Sequence, residues 1–114
     1  MPYLKIQTNC QVPGPRQEAL LGEASRLVSG HLGKDERYFM GALDDGQAMI
    51  FAGGSAPLAM VELKALGLPP EKLPDLCAAL SGLVQQHLAI PPDRIYVTFQ
   101  NVARGMWGWN GTLF

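Results

Sequence analysis

Chemistry could start at Pro2. A small residue in the second position permits removal of Met1, which leaves a secondary amine at the head of the chain. An unperturbed terminal amine titrates near roughly 8 and a secondary one somewhat higher, so a general base working at neutral pH needs that value lowered. An apolar pocket lowers it by desolvation, and a neighbouring ammonium does so by disfavouring a second positive charge. Met-Pro alone is a weak sign, because an untethered terminus is the commoner reading. The other reactive side chains suggest less. Cys10 and Cys77 have no CxxC spacing and no clustered His around them, so neither a metal site nor a redox pair is indicated. Two free thiols suit a reducing compartment. Cys77 falls on a helical stripe with Leu73, Leu76, Leu80, Leu83 and Val84 and is expected in the core, while Cys10, in a polar turn, is expected at the surface. His31 and His87 lie near helix ends, where a solvated or dipole-paired imidazole is expected.

The elements that would hold such a base come in two matching halves. Residues 2–8, PYLKIQT, alternate as a half-buried strand does, and Val61, Leu63 and Ala65 repeat the alternation about 57 residues later. Each strand leads into an amphipathic helix. The first sets Leu20, Ala24, Leu27, Val28 and Leu32 on one face, and the second Leu73, Leu76, Leu80, Leu83 and Leu88. Pro15 and Glu18 suit the opening turn of the first helix and Gly33 its C-terminal stop. Pro74 places the start of the second near Leu73, since proline breaks a helix interior. After each helix comes a related segment, GKDERYFM at 33–40 and IPPDRIYV at 90–97, in which the apolar run Tyr38 to Met40 matches Ile95 to Val97. Residues 47–52, QAMIFA, read as a further short strand, and Asn110–Gly111 as the turn of an aromatic hairpin.

Two strand–helix–strand units predict an α+β domain over 1–114: a four-stranded mixed sheet with both helices on one face, because right-handed crossovers place them on the same side. The second face of the sheet is expected to be apolar enough to need a partner, so oligomerisation is expected. With 9 basic and 10 acidic residues and no block of like charge, neither nucleic acid nor an anionic membrane is an expected partner. A neutral small ligand or a protein suits the chain better. Apolar stretches fall short of the roughly 18 residues a membrane span needs, and the N-terminus lacks the pattern of an export signal, so a cytoplasmic location is expected.

In order and spacing, several motifs resemble the macrophage migration inhibitory factor (MIF) and D-dopachrome tautomerase family. They are the Met-Pro start, LGK at 32–34, Tyr38, FAGGS at 51–55, DRIY at 93–96 and WGWNG at 107–111. The resemblance runs from first residue to last. It implies a homotrimer whose sheets wrap into a barrel, with active sites between adjacent subunits, no cofactor and no metal. It also implies a keto–enol tautomerase acting on aryl 2-keto acids such as phenylpyruvate, and on dopachrome-like compounds, with Pro2 as general base. Lys34 is then the ammonium that binds the substrate's carboxylate or carbonyl oxygen and stabilises the enolate; without the family it would read as a helix C-terminal cation. The substrate-binding positions the family implies are the backbone at Leu66 and the aromatic pocket of Tyr38, Tyr96, Trp109 and Phe114. Tyr96 is supplied by the adjacent subunit. Core or interface packing is the competing role for each aromatic.

The chain also departs from the vertebrate MIF pattern. Leu58 to Val61 stand in place of the family's CxxC, so thiol oxidoreductase activity does not carry over. Thr98 replaces a substrate-binding Asn, exchanging an amide for one hydroxyl. Lys64 stands where vertebrate MIF has His, adding a second cation near the pocket mouth that would help hold a carboxylate. Three alternatives stay open. One is a cytokine-like interaction protein with vestigial catalysis, secreted without a signal peptide and binding a receptor. Another is a proline-dependent dehalogenase or decarboxylase, which would want arginines, with Arg104 the nearby candidate. The third, without the family, is a small α+β binding domain.

Overall fold

The computed structural model describes residues 1–114. Its main sheet is ordered β2–β1–β3–β4, where β1 is Pro2–Thr8, β2 Met40–Asp44, β3 Ala59–Leu66 and β4 Ile95–Val102. β1 runs parallel to β2 and β3 parallel to β4, while the two inner strands pair antiparallel, Pro2 opposite Ala65 and Thr8 opposite Ala59. Two parallel β-α-β units therefore meet along one central ladder, as the sequence repeat predicts. Helix α1 (Gly14–Leu32) links β1 to β2, and α2 (Leu73–Leu88) links β3 to β4.

Both helices start on a proline within the first two positions and stop in a left-handed residue. Gly33 closes α1 at φ 63°: its N–H reaches the carbonyl of Gly30, and the Lys34 N–H donates to the carbonyl of Ser29 at 3.0 Å. α2 closes instead on Ala89 at φ 56°, a conformation that disfavours a side chain with a Cβ. The buried faces coincide in one core, with Leu4 and Ile6 of β1 and Val61 and Leu63 of β3 under Leu20 and Val28 of α1 and Leu76 and Leu80 of α2. Both helices thus cover the same side of the sheet.

Several expectations need correcting. Cys77 is exposed: the buried stripe of α2 is Leu76, Leu80, Leu83 and Val84, and Cys77 lies about 100° round the helix from Leu76. Cys10 is half-buried, packed against the core while still lining a surface groove. Tyr38 is not in a strand. Asp35 accepts the Arg37 N–H at 3.0 Å and winds residues Glu36–Tyr38 into a short 3₁₀ turn, so that β2 starts only at Met40. Nor do residues 47–52 form a strand, since only Phe51 is bridged, to Gly54. The Arg94 guanidinium donates to the carbonyls of Phe51, Gly54, Ala56 and Pro57 at 3.0–3.2 Å, which ties down the end of this segment and the turn that follows it.

The second face of the sheet is also less apolar than expected. Its rows read Met40–Tyr3–Lys64–Gln100, Ala42–Lys5–Glu62–Thr98 and Asp44–Gln7–Met60–Tyr96. Lysines, glutamines and a glutamate alternate there with tyrosine and methionine, and of the exposed large apolar side chains only Met40 and Tyr96 belong to this sheet, both on its edge strands.

Candidate functional site

Pro2 opens β1 and its ring is buried with Leu4 and Ile6 on the helix side. The strand pairs on both sides, so the backbone at its first residue is fixed rather than frayed. In the encoded chain the terminal amine belongs to Met1, and Pro2 N is a tertiary amide. That terminal amine is held below its ordinary pKa, first by burial and then by the charge of Lys34. Lys34 itself comes from the chain reversal that ends α1. Its ammonium donates to the Leu66 carbonyl at 2.5 Å, at the end of β3, and burial lowers its own pKa. Pro2, Lys34 and Leu66 are therefore brought together at one end of the sheet.

The aromatic wall is built by the C-terminal tail. β5 (Gly108–Trp109) and β6 (Thr112–Leu113) form a small hairpin whose turn residues Asn110 and Gly111 take φ 53° and 77°, as a tight primed turn requires. The tail is pinned at its base, where the Phe114 N–H donates to the Trp107 carbonyl at 3.0 Å and the Gly105 N–H to the Phe114 carbonyl at 3.1 Å. Trp109 meets Tyr38 edge-on at 5.4 Å between centroids and stacks with Phe114 at 6.2 Å. Tyr38 also meets Phe114 edge-on, at 6.4 Å. The guanidinium of Arg37 lies 4.8 Å from the Tyr38 ring centre.

Two adjoining hollows result. The smaller, about 160 Å³, is where Met1 lies, against Tyr38, Phe39, Trp107, Trp109 and Phe114. The larger, about 600 Å³, opens beside Pro2. One wall carries Tyr38, Trp107 and Trp109, and the other the sheet residues Tyr3, Met40, Lys64 and Gln100. Lys64 is the only charged side chain there, and no acidic residue lines the hollow. A groove of comparable size by Asn9, Met49, Ile50 and Ser55 contains no titratable side chain and lies at the opposite end of β1. No group of three or more His, Cys, Asp or Glu side chains comes together as a metal site would need.

Of the residues that the sequence marks for the site, Tyr38, Trp109 and Phe114 form one cluster, and Lys64 joins Pro2 at the larger hollow. Tyr96 and Thr98 do not reach it. They lie on β4 five and three residues before Asn101, which is level with Pro2 through Ala65. Strand rise puts them about 17 and 10 Å further along the sheet. Tyr96 instead packs on Phe51, 4.7 Å between ring centres. Arg104 does not line either hollow. Tyr3, Met40, Gln100, Val102 and Met106 line the larger hollow although no motif marks them. Their signal is the register: Tyr3, Met40, Lys64 and Gln100 form one row across the four strands.

A family model described as macrophage migration inhibitory factor (MIF) matches residues 1–114. The chain is 35% identical to a macrophage migration inhibitory factor homolog of Brugia malayi over 116 residues, covering 100% of this chain and 99% of the relative. It is 30% identical to the macrophage migration inhibitory factor of Rattus norvegicus over 118 residues, covering 100% and 99%. Among solved structures, a macrophage migration inhibitory factor homologue from Prochlorococcus marinus superposes with a TM-score of 0.92 at 35% identity, covering 98% of each chain.

Proposed function

The chain belongs to the macrophage migration inhibitory factor family, and from that premise we propose that, with Met1 removed, it is a keto–enol tautomerase of aryl 2-keto acids such as phenylpyruvate. The observation that carries this reading is a chain terminus lining the aromatic hollows, Pro2 the larger and Met1 the smaller, whose amine is held below its ordinary pKa by burial and by the charge of Lys34. An amine so placed holds its proton less tightly than an ordinary terminal amine, so a larger share of it is free to act as a base at a given pH.

The freed Pro2 nitrogen takes a proton from the carbon next to the ketone, and the electron pair moves onto the carbonyl oxygen. Lys34 stabilises the enolate there, exchanging its resting contact with the Leu66 carbonyl for the substrate. The proton is then returned to oxygen, so the keto form becomes the enol with no net loss of atoms or charge. Tyr38, Trp107 and Trp109 supply an apolar seat for the aryl ring and keep the base poorly hydrated. Lys64 faces the same space from the sheet.

Met1 opposes this chemistry twice over. While it is attached, the Pro2 nitrogen is an amide without useful basicity, and Met1 stands among the aromatics as part of the wall of the smaller hollow. We assign the active form to the chain beginning at Pro2. Intact mass and activity measured on one sample test this: a preparation with Met1 on every chain should show no tautomerisation of phenylpyruvate, and a processed one should. Equal rates from the two would remove Pro2 as the base.

Tyr96 and Thr98 complete a site only if a second copy presents them, so the reading includes a homotrimer with sites between subunits. Their exposure on the open face, away from Pro2 of their own chain, supports this arrangement. The free thiols Cys10 and Cys77 favour the cytoplasm as its compartment. No helix is long and apolar enough to cross a membrane.

A further inference from the structure

Lys64 is a cation that the proposed proton transfer does not require. Lys34, at the Leu66 carbonyl, already supplies a positive charge for the keto-acid end of a substrate. Lys64 alternates with buried Leu63 and Ala65 along β3 and so projects from the open face of the sheet. Its ammonium lies 5.9 Å from the centre of the Tyr3 ring, on the wall of the hollow beside Pro2. Gln100 of β4 stands next to it in the register and lines the same hollow.

Within its own chain this ammonium has no counter-ion. Lys64 takes part in none of the three ion pairs of the chain, and no Asp or Glu lines the hollow. Glu62, the acid two residues back on the same face, is about 7 Å away along the strand and stands level with Lys5. An unpaired ammonium beside an amide donor, on a wall otherwise made of Tyr, Trp, Met and Val, is suited to an anion at the far end of an apolar ligand. Lys34 and Lys64 stand on different elements, Lys34 just past the end of α1 with its ammonium on the Leu66 carbonyl, and Lys64 on the sheet in the wall of the hollow. A ligand with a single acidic group satisfies one of them.

We propose that Lys64 and Gln100 form a second anion subsite, and that the preferred substrate is an aryl 2-keto acid bearing a further carboxylate on its ring. The keto-acid end meets Lys34, the ring lies against Tyr38, Trp107 and Trp109, and the ring carboxylate meets Lys64 and Gln100. The reaction rests on the tautomerase reading; the subsite rests on the hollow and its charges.

The test uses the processed protein with phenylpyruvate and 4-carboxyphenylpyruvate. KM for the dianion should be about tenfold lower, the size of one partly exposed charge-assisted contact. Lys64→Gln should bring the ratio of the two KM values to near one, Lys64→Arg should keep it, and Gln100→Leu should reduce it. Added salt should raise KM for the dianion more than for phenylpyruvate in the unaltered protein, a readout that needs no variant. A ratio near one in the unaltered protein, or one unchanged in Lys64→Gln, overturns the proposal. If neither keto acid is enolised, the tautomerase reading has failed. Calorimetric binding of 4-carboxyphenylacetate against phenylacetate then tests the subsite by itself. Tighter binding of the dianion that is lost in Lys64→Gln supports it, and equal binding overturns it.

Discussion

Lys34 is fixed by the backbone before its side chain does anything. The left-handed Gly33 turns the chain so that the Lys34 N–H caps α1, and from that position the ammonium reaches the end of β3. Its charge then lowers the pKa of the neighbouring terminal amine. Replacing it with alanine removes a like charge, so the amine's pKa must rise and a larger share is protonated at a given pH. For Lys34→Ala we expect the acid limb of the kcat/KM profile to move to higher pH, with KM raised about tenfold or more through loss of a charge-assisted contact. An unmoved acid limb would show that the two groups are not coupled. The basic limb should reflect Lys34 itself. Burial lowers its pKa, so its ammonium is lost as pH rises at a point below that of an ordinary lysine. In that same window the unfolded chain binds the proton more tightly than the folded one, so this residue's contribution makes the fold more stable as pH rises through it.

At the scale of elements, the repeat in the sequence carries most of the architecture. Alternation in PYLKIQT and around Val61, the prolines that open the helices and the glycine that closes α1 all mark features the fold contains. What composition and period could not show is the work of single polar side chains. Arg94 ties the end of the apolar run QAMIFA and the turn after it through four carbonyls, from Phe51 to Pro57, and Asp35 winds Tyr38 out of a strand. Cys77 falls outside the core because a stripe drawn at helical spacing admits neighbours about 100° off its centre. At the site, Pro2, Lys34 and the three aromatics are legible through motifs, whereas Met40 and Gln100 need strand register, which one sequence does not provide. Two stability outcomes follow. Arg94→Lys keeps charge but not the fork that spans four acceptors, and should lower stability by about 1–3 kcal/mol in a urea melt. Ala89→Gly relieves a left-handed residue worth about 1–2 kcal/mol against roughly 0.4–1 kcal/mol of added unfolded-chain entropy. A net gain of about 0.5–1 kcal/mol is therefore expected, and a loss would mean that the Ala89 methyl packs usefully.

For the whole molecule, the proposed site draws on residues that lie far apart along one sheet. Tyr96 and Thr98 are too far along β4 to meet Pro2 of their own chain. We expect sedimentation at micromolar concentration to show a trimer, and a stable monomer would exclude shared sites. Complementation is a sharper measure. Chains carrying Pro2→Gly and chains carrying Tyr96→Ala should each show little activity alone; after unfolding and refolding together, mixed trimers should contain some intact sites and regain part of it. No regain from well-folded mixed trimers would mean that each chain works alone.

Met1 and Phe114 line the same small hollow, and the last residue is tied into it through its own N–H and carbonyl. Head and tail therefore converge on one cleft, with consequences for anyone handling the protein. A purification tag or fluorescent protein fused to the nitrogen of Pro2 would abolish the amine, and one fused after Phe114 would have to leave through the aromatic wall. Neither end offers a neutral attachment point, so a label that spares the cleft belongs on an exposed side chain of a helix, and Cys77, facing away from the core, is already a thiol in such a place.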